Sequence, residues 1–153
     1  MSTITLDEIK ATQTRLSEMI AAFEAQASTA FLFPETQIDL APGEHYAGII
    51  VGHDGEPSHH VILMTEQPTD ELNWKAALDW AKRIGGELPT RREQALLYAN
   101  CKDQFEGTWY WSSEQRAADS GGAWIQHFNN GSQDYYGKSY EGRARAVRRL
   151  TIQ

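Results

Sequence analysis

One cysteine, Cys101, stands among 153 residues, so no disulfide can close within the chain. Folding then rests on a buried core, and a chain of this length can build one, hiding roughly 70% of its unfolded surface. No apolar run approaches the roughly 18 residues of a membrane span, so membrane insertion is not expected. The first residues, Met1 to Thr5, lack the basic start and apolar stretch of a signal peptide, which predicts synthesis and folding in a cytoplasm. Basic residues are scarce early on. Residues 1–81 carry 3 Lys/Arg against 13 Asp/Glu, whereas residues 82–153 carry 11 against 8. The whole chain has a net charge of -7, which repels phosphate over most of its surface; nucleic acid is not an expected partner.

Reactive constellations are missing as well. No Ser-His-Asp arrangement, phosphate loop or nucleotide fingerprint is visible, and no cofactor is expected. The histidines are His45, His53, His59, His60 and His127. A zinc site needs three or four converging ligands. His59 and His60 are adjacent and point to opposite faces of a strand, although His45, His53 and one of that pair could meet across a hairpin. The expectation is no metal. Cys101 ends a helical segment on its hydrophobic side and reads as a buried structural thiol.

What is present begins with a helix over residues 5–26. Thr5 caps it, Glu8 closes a capping box, and Ile4 can staple against Ile9. Leu6, Ile9, Leu16, Ile20 and Phe23 recur at heptad spacing, with Gln13 in the remaining seam position. Two readings fit: a coiled-coil stem over residues 1–27 that joins two or three copies, or an amphipathic helix lying on its own domain. The first, a homo-oligomer through residues 5–26, is preferred. Residues 28–42 form a connector whose Phe31, Leu32 and Phe33 are apolar enough to pack rather than stand in water.

From residue 43 the pattern is that of an α+β domain. Residues 45–51 and 59–64 read as a hairpin around Asp54-Gly55. A helix over 74–84 is capped by Asn73 and ended by Gly85-Gly86, with Trp74, Ala77, Leu78, Ala81 and Ile84 on its buried stripe. Thr90 and Glu93 form a second capping box, opening a helix that runs to Cys101 and buries Ala95, Leu96 and Tyr98. Strands follow at 109–113, 123–128, 133–136 and 143–149, with a tight turn at Asn130-Gly131.

Three segments then occur in order: Leu88-Pro89-Thr90-Arg91-Arg92-Glu93, Trp109-Tyr110-Trp111-Ser112-Ser113 and Arg145-Ala146-Val147-Arg148-Arg149. Together they resemble the signature of the DUF1566 family, which includes the C-terminal domain of the Legionella collagen-like adhesin. Gly43 to Gly48 and His59 to Leu63 resemble its phage and prophage branch. The resemblance covers residues 43–150. It implies a C-type-lectin-like fold, two helices packed on antiparallel sheets, shared with formylglycine-generating enzymes and with variable proteins of diversity-generating retroelements. The enzymatic relatives need a cysteine pair, which one cysteine cannot supply. The calcium-binding motifs of sugar-binding lectins, Glu-Pro-Asn or Gln-Pro-Asp with Trp-Asn-Asp, are also missing.

The resemblance implies that Glu114 to Tyr140 displays ligand-facing side chains, and the segment's composition agrees. The candidate ligand-binding residues are Gln126, His127, Asn129, Asn130, Ser132, Gln133, Asp134, Tyr135, Tyr136, Ser139 and Tyr140. Trp124 reads as core or ligand contact, while Trp109 and Trp111 read as core. Arg143, Arg145, Arg148 and Arg149 are expected to pair with carboxylates and hold the last strand. The function expected is a non-enzymatic ligand-binding protein of phage or prophage type, taking a protein or a glycan. The alternative is an intracellular phage accessory protein that binds and modulates a host protein. The place expected is the host cytoplasm on synthesis, with virion association open.

Overall fold

The computed structural model describes residues 3–26 and 31–153. Residues 27–30, the end of the expected stem and the start of the connector, lie outside the described residues. The chain divides into two units, Met1–Pro34 and Glu35–Gln153. Residues 35–42 of the expected connector thus belong to the second unit.

The first unit is built on helix α1, Leu6–Glu24. Its capping box forms: the Glu8 amide donates to Thr5 Oγ1 at 3.3 Å, and the Thr5 amide donates to Glu8 Oε2 at 2.8 Å. Asp7 and Glu8 place negative charge where the helix dipole favours it. No residue of α1 is buried. Leu6, Ile9, Leu16, Met19, Ile20 and Phe23 are between 49% and 74% exposed. Phe31, Leu32 and Phe33 are exposed too, and Phe31 stacks on Phe33.

The second unit holds two three-stranded antiparallel sheets, two helices and a short 3-10 turn at Lys102–Gln104. Strands β1, His45–Ile50, and β2, His59–Leu63, pair as expected. Asp54 and Gly55 have φ of 54° and 84°, and the Glu56 amide closes onto the His53 carbonyl at 3.0 Å. Two successive positive φ values are what a primed hairpin turn demands. Helix α2, Trp74–Arg83, starts on Asn73, whose Oδ1 accepts from the Ala76 amide. Helix α3, Arg91–Cys101, starts on the Thr90–Glu93 capping box.

The buried faces differ from expectation in detail. On α2, Ala77, Trp80 and Ala81 are buried, with Trp74, Leu78 and Ile84 half-buried. On α3 the fully inward residues are Glu93, Gln94, Leu97 and Cys101, while Ala95 is exposed. Hydrophobicity could not locate that face, because its first turn is polar, with Glu93 held by Arg149 and His59 and Gln94 Nε2 donating to the Tyr110 carbonyl.

Strands β3, Trp109–Gln115, β4, Gly122–His127, and β5, Gln133–Gly137, form one sheet in that order. The last strand, β6, is Val147–Thr151 rather than 143–149. The cause is a change of sheet. Arg143 exchanges backbone hydrogen bonds with Trp109 and Trp111 of β3, and four residues later Val147 pairs with Leu63 of β2. The crossing passes between packed layers, so Ala144 and Ala146 are buried and small. Two apolar clusters result. One joins Val61, Leu63, Leu97, Tyr110 and Phe128; the other joins Ala77, Trp80, Leu88, Trp111 and Ile125.

Candidate ligand-binding site

The sheet β3–β4–β5 divides the candidate residues between its two faces. Side chains alternate along a strand. The pairings Trp124↔Tyr135 and Gln126↔Gln133 therefore put these four on one face, which α3 partly covers. The pairings Trp109↔His127 and Ala123↔Tyr136 put those side chains on the other.

On the α3 side, amides tie the face to the helix. Gln126 is fully buried; its Nε2 donates to the Gln94 carbonyl and its Oε1 accepts from Gln133 Nε2, both at 2.8 Å. Gln133 Nε2 also donates to the Arg91 carbonyl, and Arg91 Nε donates back to Gln133 Oε1 at 3.0 Å. Gln126 is thus a support beneath the face, with no surface of its own to offer. Above it, the Arg91 guanidinium lies 3.5 Å from the Trp124 ring centroid. Trp124 meets Tyr135 edge to face at 5.5 Å, and Arg116 lies 3.4 Å over Tyr135. Trp124 is half-buried and Tyr135 is exposed. Such cation–ring stacks fix the guanidinium planes against the sheet.

On the far side His127, Tyr136 and Tyr140 form a second aromatic group. Trp109 contacts His127 at 4.8 Å and Tyr136 at 5.1 Å, and Tyr136 meets Tyr140 at 4.8 Å. Ser139 is exposed nearby in the chain. Around the sheet's end, Asn129, Asn130 and Ser132 are exposed. Asn130 Oδ1 accepts from the Ser132 amide at 3.0 Å and from its Oγ at 2.8 Å, which shapes the turn. Asp134 is exposed and turns its Oδ1 onto the Tyr135 amide at 2.8 Å.

A groove of about 680 Å³ runs beside this ladder of Arg91, Trp124, Tyr135 and Arg116, between the start of α3, the β1–β2 hairpin and β5. Its walls include His59, Arg91, Arg92 and Glu114, none of which stood among the candidate residues. The signal that could have found it is the pair Arg91-Arg92 opening a helix, where cations oppose the dipole. Beneath lies Glu93, fully buried. It accepts from His59 Nε2 at 2.9 Å, Arg149 Nε at 2.7 Å and Arg149 Nη2 at 2.8 Å. Burial pushes the Glu93 carboxyl up, but Arg149, the Thr90 amide and His59 together outweigh it and hold the pKa at about 2.

The C-terminal arginines pair as expected in part. Arg148 reaches Glu44 at 2.6 Å, and Arg149 reaches Glu87 and Glu93. Arg145 is buried without a carboxylate; its guanidinium donates to the Gln104 and Met64 carbonyls. The histidines do not converge: His59 serves Glu93, while His60 Nδ1 meets Tyr46 Oη at 2.8 Å. Among the described residues no group of three or more His, Cys, Asp or Glu is placed to hold a metal ion. Cys101 is buried, and burial pushes its thiol up, away from thiolate chemistry. No described helix is long and apolar enough to cross a membrane. Comparison with models of known protein families and with curated proteins finds no match.

Proposed function

We propose that this chain is a non-enzymatic ligand-binding protein of phage or prophage type, akin to the DUF1566 family. In this reading residues 43–153 are a C-type-lectin-like display domain. Residues 5–26 are a coiled-coil stem that gathers copies and turns weak single contacts into avid ones. Two helices packed with two small antiparallel sheets support the lectin-like reading, as does a last strand returning beside the first hairpin.

The observation that carries the proposal is the Trp124–Tyr135 pair. Two aromatic rings stand at the surface on a sheet, flanked by stacked arginines, on strands that Gln126 and Gln133 tie to the α3 backbone. Rigid aromatics give contact area at little entropic cost, and the short polar rim of Asn129, Asn130 and Ser132 adds adaptable hydrogen bonds. A site built on strands holds its geometry better than one on loops. Protein and glycan both suit this chemistry.

The test is an array of proteins and glycans probed with the full-length chain and with a Trp124→Ala/Tyr135→Ala/Asn129→Ala variant. A ligand bound by the first and lost by the folded variant is the expected result. A ligand whose binding survives all three changes moves the site elsewhere, and an array without hits removes the proposal.

A further inference from the structure

The three arginines around the ladder and groove differ from those of the last strand. Arg148 and Arg149 are each paired with carboxylates. Among the described residues, Arg91, Arg92 and Arg116 make no ion pair. Of its guanidinium Arg91 commits only Nε, to Gln133, while its backbone amide donates to Glu114 Oε2 at 2.6 Å; Arg92 commits one terminal nitrogen, to the Val51 carbonyl. The Arg116 side chain makes no hydrogen bond among the described residues, yet its guanidinium is held on Tyr135. A guanidinium stacked by its face keeps its in-plane N–H fork free, and that fork matches a carboxylate bidentately. The ladder therefore ends, on both sides, in an oriented, half-buried guanidinium that no carboxylate pairs among the described residues.

We propose that the ladder and its groove bind an acidic peptide segment, with one carboxylate on Arg91 and a second on Arg116, and the stretch between them lying across Trp124 and Tyr135. This rests on the ligand-binding reading above and names the ligand class. The surrounding charges favour a peptide over a continuous polyanion. Glu56 and Glu114 line the groove, Asp134 neighbours Tyr135 in the chain, and the protein as a whole carries -7. A sulfated glycan or nucleic acid, charged at every unit, meets those carboxylates. A peptide with spaced Asp or Glu side chains does not, and its backbone donors can use Glu56 and the Glu114 oxygen that the Arg91 amide leaves free as acceptors. The apolar side chains of Ile50 and Ala95 in the groove wall suit an intervening aliphatic residue.

The experiment pans a random heptapeptide phage library on the immobilised full-length chain. Recovered peptides should carry two or more Asp or Glu residues. A synthetic copy of the most frequent peptide should lose roughly tenfold or more in affinity when those acids become Asn or Gln. The same loss should follow Arg91→Gln/Arg116→Gln in the protein, with an unchanged near-ultraviolet circular dichroism spectrum. The peptide substitutions keep the test decisive if that variant fails to fold. Recovered peptides without acidic enrichment overturn the ligand class but leave the binding face standing, provided Trp124→Ala and Tyr135→Ala abolish their binding. A preference for heparin or an oligonucleotide over every recovered peptide also overturns the class alone. No enrichment at all, or enrichment indifferent to Trp124→Ala and Tyr135→Ala, overturns class and face together.

Discussion

The Arg149 guanidinium grips the buried Glu93 carboxylate through two nitrogens, at 2.7 Å and 2.8 Å, and so ties the last strand to the first turn of α3. Glu93 also closes the cap of that helix onto Thr90 and accepts from His59 of β2. One fully buried side chain thus links both helix start and sheet. Removing one member of such a pair strands the other charge in a poor solvent. Arg149→Ala should cost about 3 kcal/mol or more, measured by urea unfolding of the full chain. Arg149→Lys should recover only part of this, since an ammonium cannot fork. A loss under about 1 kcal/mol for Arg149→Ala would mean water reaches Glu93.

The same contact sets an acid limit. The Glu93 carboxyl ordinarily titrates at 4.5; burial raises it, but Arg149, Thr90 and His59 bring it to about 2 in the folded state. A depressed folded-state pKa adds stability that is fully present above the unfolded value. That stability disappears as pH falls from about 4.5 toward 2. A shift of this size corresponds to roughly 3 kcal/mol. Glu44, lowered chiefly by its hydrogen bond from Arg148, adds to the loss in the same direction. The urea midpoint should therefore drop steeply through that window. Glu93→Gln should start lower and fall less steeply, and a parallel curve would assign the acid sensitivity to other carboxylates.

Gly131 closes the turn that carries the polar rim. Its φ is +78°, and a Cβ there would stand 2.8 Å from the Tyr98 ring. Both conditions resist substitution: the left-handed backbone alone costs a non-glycine residue about 1–2 kcal/mol. Gly131→Ala should destabilise by at least that amount in urea unfolding. It should also displace Asn129 and Asn130, visible as amide shift changes in NMR spectra confined to residues near the turn. A neutral substitution would mean that the turn relaxes out of the left-handed conformation as well as that Tyr98 moves aside.

Much of the fold was legible because it is written in local chemistry. Asp54-Gly55, Asn73, Thr90 with Glu93, and Asn130-Gly131 each announce a turn or cap whose backbone demand few other residues meet. Long-range consequences were not. The alternation in Arg143 to Arg149 reads as one strand, but it records a crossing between two sheets that only the packed layers explain. The candidate face over Glu114 to Tyr140 was legible as composition, yet the sheet splits it: Tyr135 joins Trp124 while Tyr136 joins Trp109. Gln126 looked like a contact residue because a lone glutamine in a strand carries no sign of the buried amides awaiting it. Arg91, Arg92 and His59 reach the groove only through pairing of segments far apart in the chain.

Helix α1 presents an unburied seam. It buries none of its residues, although Leu6, Ile9, Leu16, Ile20 and Phe23 line one seam at heptad spacing. In a coiled coil Gln13 would occupy that seam, and only parallel, in-register association sets it against its own counterpart, where the two amides can satisfy each other. Antiparallel pairing would set Gln13 against Leu16 and leave it unpaired at a cost of about 1–3 kcal/mol. The full-length chain should therefore sediment as a dimer or trimer at micromolar concentration. Leu16→Asp/Ile20→Asp should convert it to monomer without altering the near-ultraviolet spectrum that reports Trp111 and its neighbours. Gln13→Leu should strengthen association while mixing oligomer numbers, since a polar seam residue specifies state at the expense of stability. A monomer at those concentrations would remove the stem from the proposed function. Any multivalent gain in binding would then have to come from elsewhere.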